Sequence, residues 1–265
     1  MITTNLFDTT EAKRLTLKKG VFSVVEYERD LSVEPEMAET AYFASQMEVK
    51  KRQLIASVTR DTGVITQRGR MQLMLGDLKS ETNINGVGNF VKKIVGSKVT
   101  GESAVKPLYT GEGTLVLEPN FRYILLEDLK DWEPGLIIED GMFLACEDSV
   151  EMHVSARTSV SSAVLGGEGL FNTNLSGRGV VALESPVPRS ELIEVKLDDD
   201  VIKIDGNMAI AWSADLMFTV ERTTATLVGS MAAGEGLVNV YRGSGTVLIA
   251  PVQNNKGIPS PSNKK

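Results

Sequence analysis

One cysteine and one histidine are all that 265 residues contain, and that scarcity removes most familiar site chemistries at once. Cys146 alone admits no intramolecular disulfide, which points to a reducing compartment and a cytoplasmic location. Zinc sites of the usual kinds draw on several Cys and His ligands, so none can be assembled. A Ser-His-Asp arrangement would have to use His153, and no G-x-S-x-G elbow frames a serine for it. Excess positive charge is also missing. The net charge is −7, which opposes attraction to nucleic acid or an anionic membrane. No stretch approaches the ~18 apolar residues of a membrane span. The opening MITTNLFDTTEAKR carries acidic residues and no apolar core of a targeting signal.

What is abundant is glycine, with 24 residues, and it recurs in phase. The phrase LYTGEGTLVLEP returns as NLSGRGVVALESP and VYRGSGTVLIAP. The pairs Gly111/Gly113, Gly177/Gly179 and Gly243/Gly245 are spaced by 66 residues. A fixed period means one supersecondary unit used three times. Gly-x-Gly reads as a tight hairpin turn, because glycine adopts positive φ without a Cβ clash. The apolar runs that follow read as strands, and Pro119, Pro186 and Pro251 stop them.

A second phrase precedes each first one: Gly101-Glu102-Ser103, Gly167-Glu168-Gly169 and Gly234-Glu235-Gly236. It predicts another turn, so that each unit holds a β-hairpin. Asp140-Gly141 and Asp205-Gly206 mark a third turn upstream in the second and third units. The first unit's counterpart is blurred, over Met37 to Ala44. Its distance to the next Gly-Glu implies an insertion of about 35 residues, at about 60–100.

In chain order, residues 1–20 read as a polar lead-in and 21–253 as one all-β domain. Its repeats are about 21–132, 133–197 and 198–253, and 254–265 read as a disordered tail. Val21 to Tyr27 is the first strand, with Leu31 to Glu34 as its pairing candidate. Ala41 to Lys51 is ambiguous by period, and the repeat argues for strand there. Asn89 caps a predicted short helix over Phe90 to Gly96, either covering one end of a barrel or docking on a membrane or partner. Alternation in Leu192–Leu197 and Val201–Ile204 predicts two half-buried strands. The Asp198-Asp199-Asp200 run between them reads as a solvated turn without the ligand spacing of a calcium loop.

The candidate site residues are few. Cys146 lies in the strand-like run Phe143-Leu144-Ala145-Cys146 and reads as a small buried hydrophobe. His153 reads as a strand histidine. Glu102, Glu168 and Glu235 would form a carboxylate ring if the units surround a threefold axis, and face solvent as turn charges otherwise. Lys92, Lys93, Lys98 and Lys106 cluster loosely, with no aromatic among them to make a nucleic-acid face. The glycine pieces match neither a P-loop nor a dinucleotide fingerprint, so no cofactor is expected.

The phrases Gly101-Glu102-Ser103, Gly167 to Phe171, Gly177 to Leu183 and Glu194 through Ala209 resemble motifs of the altered-inheritance-of-mitochondria family. That family is grouped with proteins like the tryptophan RNA-binding attenuator. The resemblance spans roughly 21–252. It implies a compact β-sandwich or barrel of double-stranded β-helix type that self-associates into trimers or other rings. It also implies soluble cytoplasmic bacterial members of unknown activity and a fungal namesake linked to mitochondrial organisation. It offers no catalytic motif. The leading functional expectation is a non-enzymatic oligomeric scaffold or interaction protein. The alternative is a binder of small ligands or RNA in a groove between repeats or subunits. A carboxylate-based enzyme ranks third.

Overall fold

The computed structural model describes residues 2–82, 94–95, 106–156, 171–222 and 237–252. The chain is mostly β. Its strands are β1 (Lys13–Lys19), β2 (Phe22–Tyr27), β3 (Arg52–Val58), β4 (Val64–Thr66), β5 (Met71–Glu81), β6 (Ile94–Val95), β7 (Leu108–Leu117), β8 (Tyr123–Asp128) and β9 (Leu136–Ile138). They continue with β10 (Phe143–Glu147), β11 (Val150–Ala156), β12 (Phe171–Gly177), β13 (Val180–Ser185), β14 (Ile193–Asp205), β15 (Ala209–Ser213), β16 (Met217–Arg222) and β17 (Leu237–Ile249). One α-helix, α1, spans Ala38–Gln46. No described helix is long and apolar enough to cross a membrane.

The strands form two sheets. One has the order β1-β2-β3-β7-β4-β10-β13-β8, with β5 also on β7. Its end strands β1 and β8 touch, so this sheet curls almost into a barrel. The other has the order β14-β17-β15-β9-β12-β11-β6, with β16 on β17. Strand β13 belongs to the first sheet and is buried on both faces. Val180 and Ala182 pack with Phe22, Leu54 and Leu115 inside the near-barrel. Val181 and Leu183 pack with Leu136, Leu175 and Leu248 of the second sheet. A strand with two apolar faces reads as a continuous apolar run, which is how Val180-Val181-Ala182-Leu183 reads.

The same pairing occurs three times. Hairpins β3–β4, β10–β11 and β15–β16 each lie along one longer partner: β7, then β12 with β13, then β17. The first hairpin strand pairs with the residues after the Gly-x-Gly, and the second with those before it. Gly-x-Gly is therefore not the hairpin turn. In β7 and β17 it lies within the strand, where one edge changes partner. In the middle unit it is the passage from β12 in one sheet to β13 in the other. The physical need is a kink and a close approach. Gly111 has φ +117°, and a Cβ there would lie 2.0 Å from the Asp77 carbonyl oxygen of β5.

Other expectations meet mixed outcomes. Asp140-Gly141 and Asp205-Gly206 are turns, with φ +81° and +58° at the glycines. Strand β2 falls at its predicted place, but it pairs with β1 and β3, and Leu31–Glu34 forms no strand. The lead-in holds β1. Where the repeat argued for strand, α1 forms instead: Pro35 starts the preceding 3₁₀ turn, and AETAYFASQ is rich in helix formers with one β-branched residue. In the predicted helix Phe90 to Gly96, only Ile94–Val95 are described. They are strand β6, parallel to β11. The two strands around Asp198–Asp200 are one strand, β14, with a bulge there and Asp199 at φ +50°. Strand β5, inside the insertion, runs along β7 as β14 runs along β17. The tail 254–265 and the Gly-Glu phrases lie outside the described residues.

Gly111→Ala combines the clash with backbone strain, whereas Gly69, at φ +77°, has nothing within 4 Å of the place a Cβ would take. Denaturant unfolding is expected to show a loss of about 3 kcal/mol or more for Gly111→Ala and about 1 kcal/mol for Gly69→Ala. Equal losses would mean that the close approach to β5 does not matter.

Candidate functional site

The turns of the first two units converge on one polar cavity of about 280 Å³. The β4–β5 turn brings Gln67, Arg68 and Arg70, and the β9–β10 turn brings Glu139, Asp140 and Gly141. Phe143 of β10, Thr173 of β12 and Glu184 of β13 form the wall, and Lys106, just ahead of β7, completes it. The backbone pins these pieces together. The Gln67 amide donates to the Leu144 carbonyl at 2.8 Å, Glu184 to Met142 at 2.7 Å, and Thr66 to Pro107 at 3.1 Å. A residue before proline is held extended, so Pro107 fixes the entry of Lys106 into β7.

Lys106 is the unusual group. It is 4% exposed. Its amine donates to Gln67 Oε1 at 2.9 Å and sits 4.4 Å from the Phe143 ring centroid. Among the described residues it forms no ion pair. The other buried lysine, Lys50, shows what pairing looks like. Its amine lies 2.7 Å from Glu48, 2.9 Å from Glu28 and 3.6 Å from Glu26. Burial works to lower the Lys50 pKa, but the carboxylates of Glu48 and Glu28 outweigh it and the pKa rises. Lys106 is compensated far less among the described residues. Burial pushes its pKa down to about 8, against weaker opposing influence from Cys146 and Asp140.

The remaining charges divide into committed and open. Arg70 and Asn120 both donate to Glu184 Oε1. Arg68 is exposed and makes no ion pair among the described residues. The cavity thus presents a buried amine, a free guanidinium at the rim, a threonine hydroxyl and two carboxylates on one turn. That set suits a small molecule carrying an acidic group and a second polar function.

The residues singled out from sequence mostly lie elsewhere. Cys146 is fully buried in the core shared by both sheets, as a small hydrophobe. His153 is half-buried in β11, its backbone paired with Asn174 and Val95. Among the described residues, no three His, Cys, Asp or Glu side chains are grouped to hold a metal ion. Glu102, Glu168, Glu235, Lys92, Lys93 and Lys98 lie outside the described residues. Of the loose basic cluster, only Lys106 reaches the cavity, and as a buried group rather than part of a basic face. A signal for it was present. Lys106, Asn172 and Val238 each stand five residues ahead of their glycine pair, and all three are buried. The lysine is the one charged residue of the three.

Residues 46–252 match the family described as mitochondrial biogenesis AIM24, a span that contains every cavity residue. An uncharacterised protein of Streptococcus pyogenes serotype M6 is 30% identical over 193 residues, covering 70% of this chain and 75% of its own. A crystal structure of a Streptococcus pyogenes protein superposes with a TM-score of 0.56 at 26% identity, over 78% of this chain and 90% of that one.

The depressed pKa of Lys106 has a signed consequence for stability. Between about pH 8 and pH 10.5 the unfolded chain keeps the proton that the folded chain has released, so stability rises with pH across that window. Below pH 8 the cost of the buried charge is fully present, on the order of 3 kcal/mol. Lys106→Met is expected to be more stable than the parent at pH 7, and the difference should shrink as pH rises towards 10.5. Guanidinium unfolding of both proteins across that range checks it, and a difference independent of pH would count against a strained ammonium.

Proposed function

We propose, on the premise that this chain belongs to the mitochondrial biogenesis AIM24 family, that it is a non-enzymatic binding protein for a small organic acid held in the cavity between its first two units. The family description names an organelle process rather than a reaction, so the chemistry has to come from the site. One observation carries the reading: a buried amine without an ion pair at a polar cavity, with the uncommitted Arg68 at the rim. An interior cation without an ion pair among the described residues is completed by a ligand that brings the opposite charge. RNA fits less well, since the cavity is small and the net charge is −7. A cytoplasmic setting is part of this reading, supported by the single, buried cysteine.

The direct test is thermal unfolding against a panel of small carboxylates, with native mass spectrometry of protein purified from its host. A true ligand at 100 times its Kd adds about 2.7 kcal/mol of stability. Lys106→Met and Arg68→Gln should lose that gain. No stabilisation by any carboxylate, and no retained small molecule, would remove the reading.

A scaffold or interaction role has an observation of its own. No residue of α1 is buried, and Tyr42 and Phe43 are each 60% exposed, beside exposed Met37 and Met47. Between Leu31 and Val49 the chain carries Glu34, Glu36, Glu39 and Glu48 and no basic residue. Glu48 is taken by Lys50, and the other three make no ion pair among the described residues. An exposed apolar helix with open carboxylates fits a basic amphipathic segment of a partner protein. Tyr42→Ser with Phe43→Ser should leave stability within about 0.5 kcal/mol while abolishing binding of a basic amphipathic peptide by fluorescence anisotropy. Unchanged peptide binding would overturn this role for α1. So would a concentration-dependent mass by light scattering that the double variant reduces to a monomer, since α1 would then be covered by a second copy.

A further inference from the structure

The geometry points to covalent capture: the Lys106 amine takes a small 2-oxo acid as an imine, while Arg68 holds its carboxylate. This rests on the organic-acid reading above and names both the class of acid and the bond.

Three features of the cavity converge on it. The first is how the amine is held. Its hydrogen bond goes to a neutral amide oxygen of Gln67, and its other neighbour is the face of Phe143. Nothing in that arrangement requires a charge on the nitrogen. Lys50, paired with Glu28 and Glu48, shows the arrangement that holds a buried lysine charged. A lysine buried without an ion pair among the described residues is instead prepared as an amine nucleophile. Its pKa near 8 keeps a sizeable neutral fraction close to neutral pH.

The second feature is the placement of cations. Arg70 is tied to Glu184, so it is spent on the wall. Arg68 stays open at the rim, and a guanidinium binds a carboxylate through two parallel N–H donors. A ligand that meets both groups needs a carboxylate for Arg68 and an electrophilic carbon for the amine. A 2-oxo acid has both within three atoms, and a cavity of about 280 Å³ limits the rest of the molecule to a small side chain.

The third feature is the pair Glu139 and Asp140 on the β9–β10 turn. The reaction balances without an oxidant or reductant. The amine lone pair forms the C–N bond as the carbonyl π bond opens onto oxygen. One amine proton passes to that oxygen, giving the carbinolamine. The hydroxyl, once protonated, leaves as water, the C=N bond forms, and the remaining amine proton is released. A carboxyl group beside the reacting carbon can carry those protons in turn.

The full chain is incubated with pyruvate and sodium cyanoborohydride and mapped by mass spectrometry, while calorimetry compares pyruvate with lactate, which lacks the carbonyl. The expected result is one reduced adduct on Lys106, none in Lys106→Met, and pyruvate bound at least about tenfold more tightly than lactate. Equal binding of pyruvate and lactate with no adduct would overturn covalent capture and leave the organic-acid site standing. Adducts spread over exposed lysines would overturn it too. Neither acid binding, with no adduct, would overturn this inference, and failure of the wider carboxylate panel would then remove the site as well. Because Lys106→Met is expected to fold at least as stably as the parent, loss of the adduct in it reports on the amine and not on unfolding.

Discussion

The constraint on which the structure depends is that β13 has no solvent face. One side closes the near-barrel and the other carries the second sheet, so its register is fixed from two directions. A one-residue slip would exchange Val181 and Leu183 with Val180 and Ala182 and misfit both cores together. The strand that feeds it, β12, lies in the other sheet. The chain must therefore turn from one sheet into the other within Ser176 to Gly179, and glycine makes that passage possible. The cavity forms away from this crossing, towards the other ends of β12 and β13, where Thr173 and Glu184 face two turns that fill the gap incompletely.

Burial alone does not decide what a charged side chain does here. Glu26, Lys50 and Arg52 are all buried, yet they answer one another: Arg52 Nε lies 2.8 Å from Glu26, and Lys50 meets three carboxylates. Arg52 also stacks 3.7 Å over Tyr123. That network anchors the segment after α1 to β2 and resembles the compensated interior charges of many stable domains. Lys106 sits equally deep with no ion pair among the described residues. The contrast lies within one molecule, so it does not depend on any general scale for the cost of burying charge.

The glycine phrases are legible in the sequence because they live in local chemistry. Glycine pairs, apolar runs and closing prolines mark where β7, β13 and β17 kink and end, whatever their neighbours are. The pairing of those strands was not legible. Gly-x-Gly serves a hairpin turn and a mid-strand kink equally well in sequence, and only the partner tells them apart. In β7 that partner is β5, whose Asp77 carbonyl leaves no room for a Cβ at Gly111. The helix was misplaced for a related reason. The repeat pulled residues 41–51 towards strand, but local propensity in AETAYFASQ prevailed, and no residue of the helix is buried in a way that would enforce the sheet. Of the site, only Lys106 stands out in the sequence, and there for the wrong property. Its companions Gln67, Arg68, Glu139 and Asp140 are ordinary turn residues in sequence, brought together by contacts between distant units.

The place of Lys106 in the repeat separates structural need from function. At the matching place the second unit has Asn172 and the third has Val238, so the fold is served there by a neutral or an apolar side chain. A lysine at that place lowers stability, and among the described residues no carboxylate forms an ion pair with it to offset the loss. Structural need therefore does not explain it. A group that weakens the fold where the fold would accept something better is the kind of departure from local consistency that marks a working site. The two faces of β13 keep the cavity walls rigid enough to hold that amine out of water. The stability given up at Lys106 is then what keeps the nitrogen reactive, and the same low pKa serves as the sign of both.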